Sequence, residues 1–225
     1  MTKELGAGIR AAREARGYSL RAVASTVGIS PSLLSQVETG KTEPSVSTLW
    51  AVATYLEASI DELMGQVPSP SPASVSSSAG AGAPIQRSAD NPTIEMENGV
   101  TWERLAVGGF DLVDPLITTY APGGASSVEG ELMRHAGIEY GYIIEGELTL
   151  KLDFDTFVLK AGDSLSFDSL RPHLYVNHTA KPAKGLWMVL GRHDREANAS
   201  LSKSAHAQGP ARSATDVLAA MRDLH

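Results

Sequence analysis

Between Gln66 and Pro84, 16 of 19 residues are Ser, Pro, Gly or Ala, and none carries a charge. Such a stretch has too little side-chain surface to bury, and its prolines keep it extended, so it cannot run through a core or span a membrane. It cuts the chain into residues 1–65 and 93–191, joined by a linker over 66–92 and followed by a tail over 192–225. At 225 residues with 42% apolar side chains, each part can build its own core. The absence of cysteine excludes disulfides, thiolate metal sites and a cysteine nucleophile, and fits a reducing compartment. Met1 to Arg10 has no charged segment leading into an apolar core, so no secretory signal is expected and a cytoplasmic location is.

A net charge of −7 argues at first against a nucleic-acid partner. The charge is unevenly spread, however: residues 1–65 hold six basic side chains against seven acidic, and residues 93–191 hold seven against fourteen. The excess acid belongs to the second part. The first keeps Arg10, Arg13, Arg16, Arg21 and Lys41 for an electrostatic face.

Residues 1–65 read as short helices. Leu5, Ile9 and Ala12 recur at helical spacing, as do Leu20, Val23, Ala24 and Val27, and again Val46, Leu49, Val52, Ala53 and Leu56. Gly17, Gly28 and Gly40 follow apolar stripes where a left-handed residue ends a helix, and Ser19, Ser30 and Ser45 stand as N-caps. Pro31 suits a first helical position.

Leu20 to Thr39 has what two helices crossing at a tight turn require: small Ala24 at the crossing, Gly28 in the turn, and Val23, Val27, Ile29, Leu34 and Val37 for a shared core. With Gly40 to Ser45 and Leu49 to Ala53, this stretch resembles the DNA-binding domain of the phage-repressor-like (Cro/C1, or XRE) regulators over residues 5–64. The resemblance implies a five-helix lambda-repressor-like fold whose third helix, Ser30 to Glu38, enters the major groove. Ser30, Ser32, Ser35 and Gln36 are then the reading residues, Gln36 foremost because its amide can pair bidentately with adenine. Arg13, Lys41 and Thr42 are candidates for phosphate contacts. Leu20 departs from the pattern, since relatives often carry a polar phosphate-contacting residue there. A domain of this type can also serve protein binding.

The second part changes period. Tyr142 to Ile144, Glu147 to Leu152 and Thr156 to Leu159 are short, β-rich runs bounded by turn residues at Pro122-Gly123-Gly124, Gly146, Gly162-Asp163 and Arg171-Pro172, which suggests an antiparallel barrel or jelly roll. His135 and Glu139, then Gly146, form one motif, and Gly162, His173 and Asn177 another. These resemble the paired motifs of the cupin family over residues 105–190, which implies an antiparallel β jelly roll whose mouth holds a metal or a small molecule. His135, Glu139 and His173 offer two imidazoles and a carboxylate, a set that suits Fe, Mn, Ni or Zn as divalent ions. Met133 stands where a fourth cupin ligand, a histidine, is common, and Asp168 and Leu170 also depart from the motif. Three readings of the trio stay open: hydrogen bonding to an organic effector, a three-ligand metal site, or a structural role. Tyr142 and Tyr175 join it as effector-pocket residues, and Tyr140, Phe167 and Trp187 as further aromatics that could line the pocket. The tail ends in a stretch, Val217 to Leu224, that can form an amphipathic helix.

A repressor-like head with a cupin is itself a regulator architecture. It implies an α + β protein of two domains that binds double-stranded operator DNA as a homodimer or higher oligomer, with a small-molecule effector shifting its affinity, and with no catalytic residues. The flexible linker implies that the effector acts on dimer geometry or head spacing. An alternative comes from the same trio, which also resembles that of mononuclear non-haem iron epoxidases that carry a helix-turn-helix head. There the barrel would be an oxidase and the head vestigial.

Overall fold

A computed structural model of the chain describes residues 2–65, 85–106, 113–128 and 130–191; the expected C-terminal helix and most of the linker lie outside them. The head holds five helices: α1 (Thr2–Ala15), α2 (Leu20–Val27), α3 (Pro31–Glu38), α4 (Val46–Tyr55) and α5 (Ile60–Leu63). Ser19, Ser30, Ser45 and Ser59 cap α2 to α5 by accepting the N–H of Ala22, Leu33, Thr48 and Glu62, each cap contributing about 1 kcal/mol. Gly28 ends α2 at φ 82°, where a side chain would be strained. Gly6 on α1 has another purpose: a Cβ there would stand 2.3 Å from the Val37 carbonyl, so the glycine lets α1 lie directly on α3. Leu5, Ile9, Val23, Leu34, Val37, Leu49, Leu56 and Leu63 fill the space between the helices.

Among the described residues nine antiparallel strands follow: β1 (Thr93–Met96), β2 (Val100–Arg104), β3 (Val113–Tyr120), β4 (Ile138–Glu145), β5 (Glu147–Leu152), β6 (Asp155–Lys160), β7 (Ser164–Asp168), β8 (His173–Val176) and β9 (Ala183–Leu190). They form a six-stranded sheet in the order β1-β2-β3-β9-β4-β7 and a three-stranded sheet in the order β6-β5-β8. The last strand, β9, inserts between β3 and β4, a long-range pairing that draws residues 113–120 and 138–145 to opposite sides of one strand. Alternation then sends Leu116, Thr118, Tyr120, Glu139, Trp187 and Val189 to one interior.

The head packs directly on the barrel. The Ser47 N–H donates to the Ser126 carbonyl and the Glu97 N–H to the Pro44 carbonyl, both at 3.0 Å. Arg104 forms a two-pronged ion pair with Asp61 of α5, at 2.7 and 3.1 Å. Inside this polar frame Trp50 meets Trp102, their ring centroids 5.3 Å apart. The two domains are thus joined by direct contact as well as by the linker, because Val46 and Trp50 of α4 share a core with barrel residues.

Candidate functional site

The surface expected to read DNA lies on α3. Leu34, Val37 and Glu38 are buried and hold the helix to the head, which leaves Ser32, Ser35 and Gln36 exposed on the opposite face. Thr42 donates to Gln36 Oε1 at 3.3 Å, tying the loop after α3 to the glutamine, and Lys41 beside it is exposed. Ser30 is exposed too, but its hydroxyl oxygen is engaged as the α3 cap.

Arg13 does not join this surface. Its guanidinium is buried and donates to both carboxylate oxygens of Glu38, at 2.6 and 2.8 Å, and to the Tyr18 carbonyl. The residue expected to grip phosphate is instead a brace between α1 and α3. Arg16 is likewise engaged, with Glu62 at 2.8 Å and the Glu57 carbonyl at 3.1 Å. Arg21 and Lys41 remain exposed, and the Arg10 pair with Glu14 is a surface pair easily exchanged for another anion.

The second site lies inside the barrel. Glu139 points inward from β4, while His173 begins β8 and His135 comes from the loop before β4. Two backbone hydrogen bonds between Met133 and His173, at 2.8 and 3.0 Å, bind that loop to β8 and so bring the two histidines together. One donor atom from each of the three residues lies within 4.8 Å of the others, and all three are buried. His135 Nε2 stands 2.8 Å and His173 Nε2 3.1 Å from the same oxygen, Glu139 Oε1.

These contacts are not ordinary hydrogen bonds. His173 Nδ1 lies 2.8 Å from the Arg171 carbonyl and His135 Nδ1 3.2 Å from the Ala136 carbonyl, and a carbonyl can only accept, so both Nδ1 atoms donate. In a neutral imidazole each Nε2 is then a bare lone pair. Neither Nε2 has a hydrogen bond of good geometry, and two lone pairs aimed at a carboxylate call for positive charge between them, a proton on the ring or a bound metal ion. Donors about 2.1 Å from an ion and at right angles stand about 3 Å apart, which matches the spacing of each imidazole from Glu139. Backbone carbonyls on the far nitrogens are the usual support of metal-bound histidines. The trio therefore fits a divalent ion held by nitrogen and oxygen.

Glu139 keeps its charge. Burial pushes its carboxyl up, but hydrogen bonds and positive charge from His135 and His173, when these are protonated, pull it well below the usual carboxylate range, and a cation held between them would act in the same direction. Its Oε2 accepts from the Tyr175 hydroxyl at 2.8 Å, and that hydroxyl accepts from Trp187 Nε1 at 3.2 Å. Burial, reinforced by the Glu139 charge, raises the Tyr175 phenol far enough to keep it a donor.

Glu139 and Tyr175 line one cavity together with Val46, Trp50, Trp102, Leu116, Thr118, Tyr120, Met133, Trp187 and Val189. Tyr142 is not among them. Counting from inward-facing Glu139, an odd step along a strand leads outward, and Tyr140 and Tyr142 stand on the outer face with Met188. Phe167 is buried with its ring at the edge of His173, 5.0 Å away. The residues missed by sequence reasoning are Val46, which reads as part of a helix core stripe, Trp50, which enters only within the repressor-like run Leu49 to Ala53, and Trp102 and Thr118, which no motif marked.

The helical head and the metal-fitting barrel define the class: residues 9–63 match the HTH_3 family (Helix-turn-helix) and residues 116–189 the Cupin_2 family (Cupin domain). The chain thus carries a region matching each of these two domain families and is homologous to HTH-type transcriptional regulators. It is similar to the HTH-type transcriptional regulator PuuR of Escherichia coli (strain K12), 26% identical over 183 residues, 80% of this chain and 89% of that one. Its fold is similar to that of an HTH_3 family transcriptional regulator from Vibrio cholerae, with TM-score 0.61, 22% identity and coverage of 84% of this chain and 96% of that one. A likeness also exists to hydroxypropylphosphonic acid epoxidase from S. wedmorenis, with TM-score 0.43 and 20% identity over 84% of this chain and 98% of that chain. Among the described residues no helix is long and apolar enough to cross a membrane.

Proposed function

We propose that this protein is a sequence-specific DNA-binding regulator whose barrel site controls its hold on an operator. The observation that carries the reading is the exposed Ser32, Ser35 and Gln36 face of α3, supported from behind by a buried Arg13–Glu38 brace. A brace of this kind fixes the angle of α3, and a fixed polar helix face is what major-groove reading requires. The homologous regulators support the same reading. Lys41, Thr42 and Arg21 supply the phosphate contacts.

His135, Glu139 and His173 hold a divalent ion, with Fe, Mn, Ni and Zn as the candidates for a cysteine-free N/O site. When bound, such an ion supplies a Lewis-acidic centre with open positions for an oxygen-bearing effector. The chain's own residues orient that centre: Tyr175 fixes Glu139, and two backbone carbonyls fix the imidazoles. The protein acts as a dimer through the outer face of β4 and β9, where Ile138, Tyr140, Tyr142, Ile144 and Met188 expose an apolar surface. A two-fold dimer presents two α3 helices to two half-sites.

Selection of DNA from a random library by the full-length chain tests this reading. Enrichment of a two-fold symmetric sequence is expected. Failure to enrich any sequence would overturn it in favour of a barrel enzyme or a protein-binding head.

A further inference from the structure

Trp102 Nε1 and the Thr118 hydroxyl are buried without a hydrogen-bond partner among the described residues, although both side chains line the cavity that holds Glu139. They are cross-strand partners in the β2–β3 register, so they stand side by side on one face. Buried polar groups left unpaired are rare, because each gives up water for nothing. An indole N–H can only donate, and a threonine hydroxyl can donate beside it, so the pair is matched to one acceptor oxygen.

Part of the same wall comes from the head. Val46 and Trp50 of α4 close the cavity, with Trp50 stacked on His135. As closed, the cavity leaves about 20 Å³ to the centre of a water-sized group, which is room for one such group and not for a metabolite. Charge narrows the occupant further. A divalent ion beside one carboxylate leaves a single positive charge among apolar walls at Val46, Leu116, Met133 and Val189, and a monoanion cancels it.

We propose that the barrel takes a small carboxylate beside the triad, with one oxygen accepting from Trp102 and Thr118, and that α4 is the roof of this site. Any carboxylate exceeds a single water-sized group and so must lift Trp50, a larger one further than acetate, and α4 belongs to the same helical core as helix α3. Ligand size is thereby read as a displacement of the DNA-binding head. This deepens the regulator reading above and rests on it.

The test uses the full-length chain loaded with Co(II), whose visible absorption reports its ligand set, titrated with acetate and with benzoate. Wild type is expected to bind acetate more tightly than benzoate. Thr118→Val is expected to weaken acetate about tenfold, the loss of one hydrogen bond to a charged oxygen, without lowering the Tm. Trp50→Ala is expected to raise benzoate affinity relative to acetate, and Val46→Ala, a smaller change to the same roof, to do so to a lesser degree. The proposal is overturned if Thr118→Val binds acetate as wild type does, or if neither roof variant alters the benzoate-to-acetate ratio. Absence of Co(II) uptake overturns it together with the metal site. Operator affinity measured in the same samples separates the two levels. Roof and wall effects with no change in operator affinity keep the carboxylate site and sink the sensor reading, whereas operator affinity that responds to Co(II) without any roof or wall effect does the reverse.

Discussion

Trp50 lies face to face with His135, ring centroids 4.7 Å apart and planes 17° from parallel, so a side chain of the DNA-reading domain covers a nitrogen donor of the barrel's triad. The two residues are 85 positions apart and belong to different domains, and the contact makes the barrel site and the head parts of one packed unit. Change at the triad therefore has a short physical route to the reading helix, through α4 and the core it shares with α3.

Gln36→Ala should relax base preference at one position of each half-site, with a loss of about 1–3 kcal/mol of discrimination there. Competition between the selected operator and single-base variants reads this. Uniform weakening on every sequence would instead mark Gln36 as a backbone contact.

The two basic residues expected to touch phosphate should separate cleanly. Arg13→Met leaves Glu38 as a buried unpaired carboxylate and should cost about 3 kcal/mol of stability, seen as a lowered denaturation midpoint. The salt dependence of DNA binding should be unchanged in that variant. Lys41→Ala should do the opposite: no change in stability, and a slope of log affinity against log salt lower by about one per bound chain.

Metal retention should depend on Glu139 and on its support. Glu139→Gln keeps the shape but removes the charge that balances the ion, and should abolish retention through dialysis against a weak chelator. Tyr175→Phe removes only the hydrogen bond to Oε2 and should weaken binding about 10–100-fold. Elemental analysis and competition with an indicator dye measure both, and equal retention by wild type and Glu139→Gln would rule out the trio as the site.

Tyr140→Glu combined with Tyr142→Glu places two charges on the exposed outer face of β4, beside Met188 and Leu186 of β9. Sedimentation should show a loss of dimer with the fold retained, since neither side chain belongs to the buried core.

Much of the head was legible from local signals. Ser19, Ser30, Ser45 and Gly28 act on residues three or four positions away, so a cap or a turn can be read from a short window. The barrel motifs likewise single out His135, Glu139 and His173, which the structure brings together, since a hairpin and a returning strand converge wherever a jelly roll closes. Arg13 was misread because Glu38, its partner, is 25 residues away and helical spacing cannot reveal a pair between helices. Tyr142 is a different kind of error: strand alternation from Glu139 already sends it outward. The roof was out of reach, because an apolar residue at α4's start looks the same whether it faces its own helices or a second domain. Trp102 and Thr118 became visible only through the β2–β3 register and the cavity that they line together with α4.

The most direct test measures the dissociation constant of full-length protein for its selected operator with and without a saturating divalent ion, in wild type and in Glu139→Gln. Coupling between the barrel site and the head predicts a shift of about fivefold or more in wild type and none in the variant. Operator affinity that is the same in all four conditions would contradict it.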